Sequence, residues 1–190
     1  MKKILLIAIA SLVSLSAFAQ PKFAHVNLNE LVQLMPEMDQ ARAAMAASNT
    51  EAQETYQAMV DEFNTKYQQY QQKASSWTTA IRESKEKELT EIQQRIQEFG
   101  QSIEQELQQQ QQQLMAPTYQ KAQETVNTLA KNGGYIYVID VTSVLYYDPL
   151  QSVDLTSQAR KALNIADDRT LEKLQAELQA QAQAAEQAAQ

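Results

Sequence analysis

Between Glu37 and Lys131, apolar residues recur at spacings of three and four, the period that places them on one face of a helix. Tyr56, Val60, Phe63, Tyr67, Tyr70, Ala74 and Trp77 keep an unbroken alternation of four and three. This is a heptad seam, which buries itself only against another helix. A second seam follows at Leu89, Ile92, Ile96, Phe99, Ile103 and Leu107. The whole stretch has one glycine, Gly100, and one proline, Pro117, and is rich in the strong helix formers Ala, Gln, Glu, Lys, Leu and Met. Ala74-Ser75-Ser76-Trp77-Thr78-Thr79-Ala80 interrupts it with side chains that bond to backbone at helix ends. The pattern predicts an antiparallel helical hairpin over 37–131 with its tip near 74–81. From Met38 to Trp77 such an arm is roughly 60 Å long, so it must project from the rest of the chain.

The flanking segments read as a small β part. Lys22–Leu28 alternates like a strand, with Phe23, His25 and Asn27 on one face and Ala24, Val26 and Leu28 on the other. Asn27 or Asn29 can cap a short helix over Glu30–Met35. Pro36 either ends that turn or opens the arm, where its missing N–H costs nothing. After the arm, Asn132-Gly133-Gly134 stops the helix. Tyr135–Asp140 is the strongest strand signal in the chain, β-branched and aromatic throughout. Val141–Ser143 reads as a tight turn and Val144–Tyr147 as a second strand, together a hairpin. Asp148-Pro149 is a turn, and Asp154 or Thr156 caps a closing helix through Leu163.

The predicted fold class is therefore predominantly α with a small β part, a long helical arm on a small sheet. Residues 20–36 and 132–165 form the β-rich body, and 166–190 an Ala/Gln-rich tail. In the tail Leu171, Leu174 and Leu178 keep helical spacing before the pattern fades into a frayed end. A sheet this small is marginal alone. A homo-oligomer follows, with Val26, Leu28, Ile136, Val138 and Leu145 as candidates for the oligomerisation body. Ala52, Tyr56 and Val60 are spaced by two fours, a stutter that relaxes supercoiling, and a second stutter lies between Phe99 and Leu107. Gly100 and Pro117 are candidate points of arm flexing, and Pro117 is predicted to kink the helix or break it near Met115.

The N-terminus changes the compartment. Lys2 and Lys3 precede a short apolar run, Ile4–Leu15, and Ala17-Phe18-Ala19 fits a small-x-small cleavage rule. Residues 1–19 read as a bacterial export signal cleaved after Ala19, which directs the chain to the periplasm. The run is shorter than the ~20 residues that span a bilayer. The chain carries a net charge of −7; without Lys2 and Lys3 it has 14 basic against 23 acidic residues, a net −9. Such a surface argues against general nucleic-acid binding. Near the tip Lys66, Lys73, Arg82, Lys85 and Lys87 outnumber Glu83, Glu86 and Glu88. That local balance fits a solvated mixed surface and a binding patch equally. Trp77, the one tryptophan, either closes the end of the seam or is an exposed aromatic that touches partners or a membrane.

Catalytic chemistry has no foothold. The chain has one histidine, His25, and no cysteine. No glycine-rich elbow accompanies any serine, no histidine pair exists for zinc, and no phosphate-binding loop appears. No catalytic, cofactor-binding or metal residues are assigned, and the protein does not read as an enzyme.

The order of elements resembles the Skp/OmpH family of periplasmic chaperones. The resemblance rests on the opening Phe23-Ala24-His25-Val26-Asn27 and the closing Gly133-Gly134-Tyr135-Ile136-Tyr137-Val138-Ile139-Asp140. Val144-Leu145-Tyr146-Tyr147, Val153-Asp154-Leu155-Thr156 and Leu114-Met115-Ala116-Pro117 also match in order. It covers roughly residues 22–165 and implies a homotrimer whose strands form a small barrel. Three hairpin arms would then surround a cavity that holds unfolded outer-membrane proteins without ATP. The acidic charge and the tail after Ile165 depart from the family. A holdase needs many weak apolar contacts rather than one deep pocket, and Tyr and Met on long arms supply them. Phe63, Tyr67, Tyr70, Trp77 and Ile81 are the candidate client-binding residues. The rival reading is a structural coiled-coil spacer or adaptor that docks on one envelope partner.

Overall fold

The computed structural model describes residues 21–188. The expected export segment, 1–19, lies outside the described residues. Within them the order is β1 (Phe23–Val26), α1 (Leu28–Leu34), α2 (Pro36–Lys73), a 3₁₀ turn (Ala74–Ser76), α3 (Thr79–Gly133), β2 (Tyr137–Asp140), β3 (Ser152–Asp154), α4 (Thr156–Ala162) and α5 (Leu171–Ala188). The chain is thus predominantly helical with one small sheet.

The arm is α2 and α3 in antiparallel contact. They are 38 and 55 residues long, which at ~1.5 Å per residue gives roughly 57 and 82 Å. Pro36 stands at the start of α2. At the tip the 3₁₀ turn ends α2, and the Thr78 hydroxyl accepts from the Ile81 amide at 3.4 Å to start α3. No glycine is needed there, because the hydroxyl takes an amide that the first turn leaves free. The register is written in cross-arm pairs from base to tip: Glu37 with Lys121, Ser48 with Gln110, Glu62 with Arg95, Lys66 with Glu88, and Tyr70 with Glu86.

At the base end, Gly134 adopts φ +67°, and the amides of Gly134 and Tyr135 bond back to Lys131 and Ala130. The α3 helix runs through Pro117 without the predicted break. Pro117 itself is exposed, while its neighbours Thr118, Ala122 and Val126 are buried. Packing on that face holds the helix where the ring removes one backbone bond.

The sheet differs from expectation. Its order is β2-β1-β3, with both outer strands parallel to β1. Val144–Tyr147 is not a strand but part of the connection between β2 and β3, and no β-hairpin forms. Parallel neighbours need crossover connections. The whole arm is the crossover from β1 to β2, and residues 141–151 carry the chain from β2 across to the far side of β1. The Asp140 carboxylate accepts from the Thr142 amide at 3.1 Å and turns the chain as β2 ends. Asp154 does the same after β3, accepting from the Thr156 amide at 2.8 Å. Asn27 caps α1 by accepting from the Glu30 amide at 3.0 Å.

The core lies at the base of the arm. Leu31, Val32, Leu34 and Met35 are completely buried there and meet Met38 and Ala41 of α2 and Ala122 and Val126 of α3. Ala159 of α4 and Leu163 just past its end close it, with Ile165 beyond. The tail joins in: Leu174 of α5 is 4% exposed in this same cluster. Beyond the base the arm buries little. Ile92 is 2% exposed, but Tyr56 and Tyr67 of the predicted seam are each 44% exposed. Two helices cover only part of a stripe as wide as this one.

Candidate functional site

Two surfaces stand out, the distal arm and the outward face of the sheet. Along the arm, Phe63 stacks on Tyr67 with ring centroids 5.9 Å apart. Trp77 meets Tyr70 edge-on, also at 5.9 Å. Both Tyr70 and Trp77 are half-buried, so the tryptophan seals the end of the arm while keeping part of its ring in solvent. Tyr67 and Ile81 are exposed. The five candidate residues therefore lie in one distal segment, but only as two aromatic pairs and a separate isoleucine.

Ion pairs cross the distal arm. The Lys66 ammonium donates to Glu88, as does Lys85 at 2.7 Å. Lys66 first and Lys85 second hold the Glu88 carboxyl down at about 2. The Tyr70 hydroxyl donates to Glu86, and that bond raises the phenol above its ordinary range. Near the base, Lys121 lowers the Glu37 carboxyl in the same way. Four of the charges that made the tip look basic or acidic, Lys66, Lys85, Glu86 and Glu88, are thus engaged within the arm. Gly100 is exposed, and a Cβ there would meet nothing within 4 Å. It is therefore not needed for close packing.

The sheet's outward face carries Phe23 and His25 of β1 beside Tyr137 and Ile139 of β2 in direct register. Phe23 and Tyr137 stack with centroids 6.1 Å apart. His25 is 8% exposed; its Nδ1 lies 2.9 Å from the Ser152 hydroxyl and its ring 4.7 Å from that of Tyr147. These two contacts fix the imidazole against β3 and the β2–β3 connection. A hollow of about 250 Å³ lies between Phe23, Tyr137 and Tyr147.

Of the body candidates, Val26 is buried in the protomer's own core, and Leu28 and Val138 pack against that core. Ile136 is 58% exposed and Leu145 wholly exposed. Sequence reasoning missed their companions Tyr137, Tyr146 and Leu150, which are exposed as well. Alternation in Tyr135–Asp140 pointed to Tyr137, but nothing local marks Leu150. Within the described residues, β2 and β3 each pair only with β1, so their outer edges keep unpaired strand groups.

Among the described residues no cluster of His, Cys, Asp and Glu could hold a metal ion, and no helix is long and apolar enough to cross a membrane.

Comparison with known proteins agrees with this architecture. The chain is 28% identical over 140 residues to "Chaperone protein Skp" of Yersinia enterocolitica, an alignment covering 74% of this chain and 84% of that protein. The family model described as outer membrane protein (OmpH-like) matches residues 22–163, which span the sheet, the arm and α4. On that match over most of its length, the chain belongs to the OmpH-like family.

Proposed function

We propose that this protein is a periplasmic holdase chaperone, which binds unfolded outer-membrane proteins without ATP and keeps them from aggregating. The observation that carries the reading is the arm itself. It is a long projection with half-exposed aromatics on a family body whose described relative is a chaperone. An unfolded chain offers short apolar segments in no fixed order. Phe63, Tyr67, Tyr70, Trp77 and Ile81 would meet them with a string of shallow contacts, each weak and reversible. Such a surface suits holding better than the recognition of one shaped ligand.

The assembly we infer is a homotrimer, built through the sheet's outward face and strand edges, so that three arms enclose one cavity. Ile136, Tyr137 and Leu145 would form the contact, since exposed apolar side chains beside open strand edges favour a protein partner. Residues 1–19 would serve as the export signal. The acidic surface would leave apolar contact, rather than charge attraction, as the main source of client affinity. Gly100 and Pro117 would let the arms adapt to clients of different size.

The decisive experiment dilutes a urea-unfolded outer-membrane β-barrel protein into buffer with the full mature chain and follows light scattering. Suppression without nucleotide, near one trimer per client and persisting at high salt, is the expected result. Absence of suppression at every salt concentration, with capture of a single stoichiometric envelope partner, would replace the holdase by a spacer or adaptor.

A further inference from the structure

The tail helix α5 lies beyond the residues that match the family model, yet it is built into the base of the arm. Its approach is pinned by Arg160 of α4. That guanidinium donates to the backbone carbonyls of Ala166 at 2.8 Å and Arg169 at 2.6 Å, and to Glu30 of α1 at 3.1 Å. At this fixed point the Arg169 side chain donates to Asp39 of α2 at 2.6 Å. Arg42 donates to the same Asp39 oxygen at 2.6 Å, and Glu177 stands 3.7 Å from Arg169. Leu174 then enters the core, and beyond it contact fades: Leu178 is 39% exposed and residues 179–185 are exposed.

Between this departing helix and the arm lies a hollow of about 1180 Å³. Its arm side presents Met45, Leu107 and Met115, and its α5 side Leu178 and Gln181. The helix is thus anchored at one end, tied by a partly exposed charge pair, and exposed over residues 178–185. Few apolar contacts hold its distal half, which places that half at the low end of local stability. Methionine-lined surface adapts to varied shapes.

We propose that α5 is a hinged strap over the arm base, latched by Arg169 and Asp39, whose swing opens the methionine-lined groove beneath it. The latch sits at the near end, on the segment whose carbonyls Arg160 holds, and Leu174 is the seat. The latch responds to ionic strength, because Asp39 and Arg169 keep 41% and 24% of their side-chain surface in solvent. On the chaperone reading, on which this step rests, the opened groove gives unfolded chain a second apolar surface near the body, apart from the distal aromatics.

The chain has no cysteine, so nitroxide labels on Gln108→Cys and Gln181→Cys in the full chain report the width of the groove directly. Both positions line it. Raising sodium chloride from about 0.01 M to about 1 M cuts the screening length from about 30 Å to about 3 Å. The label separation should then lengthen by about 5 Å or more, one helical turn. Arg169→Gln should give the longer separation at low salt. A separation that stays the same across the salt series overturns the strap, whether or not the Arg169 variant folds. Adding a urea-unfolded β-barrel protein should lengthen the separation too. If it is held in solution while the separation does not change, the groove is not its surface. If it is not held at all, the chaperone reading fails, and the salt series still decides the strap.

Discussion

Lys66 of α2 and Glu88 of α3 form an ion pair that ties the two helices together near the end of the arm, with Lys85 on the second carboxylate oxygen at 2.7 Å. The folded carboxyl is depressed from 4.5 to about 2. A depressed carboxylate contributes stability that is fully present above its unfolded value and disappears as pH falls through its folded one. The distal arm should therefore loosen between about pH 4.5 and about pH 2. The effect is modest because the pair is solvent-exposed. Hydrogen-exchange protection near residues 62–70 and 85–95, referred to the intrinsic rate at each pH, should fall in this window, and Glu88→Gln should remove the local pH dependence.

Leu34 is completely buried at the junction of α1 with the arm base. Leu34→Ala should lower unfolding free energy by about 2–5 kcal/mol, read from the urea midpoint at unchanged slope. A loss below about 0.5 kcal/mol, the size usual for surface substitutions, would mean that the core is assembled differently.

Gly134 occupies the left-handed region at φ +67°, where α3 hands over to β2. Its Cβ position is open, so Gly134→Ala meets no clash and reports the backbone alone. A destabilisation of about 1–2 kcal/mol is expected, with the helical signal retained.

Tyr137 is 65% exposed on the outward sheet face. Tyr137→Asp should leave the protomer folded and convert the proposed trimer to monomer, as seen by sedimentation. An unchanged mass would move the subunit contact away from this face.

Tyr70, Trp77 and Ile81 carry the proposed client contact at the tip. Their combined replacement by Ala should weaken holding of an unfolded β-barrel protein at least about fivefold, roughly 1 kcal/mol, with helix content unchanged. Equal holding would remove the tip from the client surface.

The two long helices and their tip were legible because their signals are local and repeated. Helix propensity and a three-four spacing act over dozens of residues, and Thr78 and Asn27 cap the helices beside them. Resemblance of the flanking motifs identified the family. The aromatic candidates could be named in the same way, but their degree of cover could not, because exposure depends on how α3 lies over α2.

The sheet shows where local reading ends. Val144–Tyr147 has the stronger strand composition, yet Ser152–Asp154 became the strand. A strand is completed by its neighbour: the Leu155 amide donates to His25 at 2.9 Å, a bond between residues far apart in sequence. Val26 likewise reads as half-buried strand but lies in the core, because α1 folds back over it.

By itself the sequence determined the helical arm, its tip, the stop at Gly134 and the family, since each depends on residues within a few turns of one another. Only the tertiary structure decided that the strands run parallel, that α3 continues through Pro117, and that Leu174 draws the tail onto the arm base through Arg169 and Asp39. Those outcomes depend on which distant surfaces meet. Burial and backbone pairing across the chain outweigh local preference there.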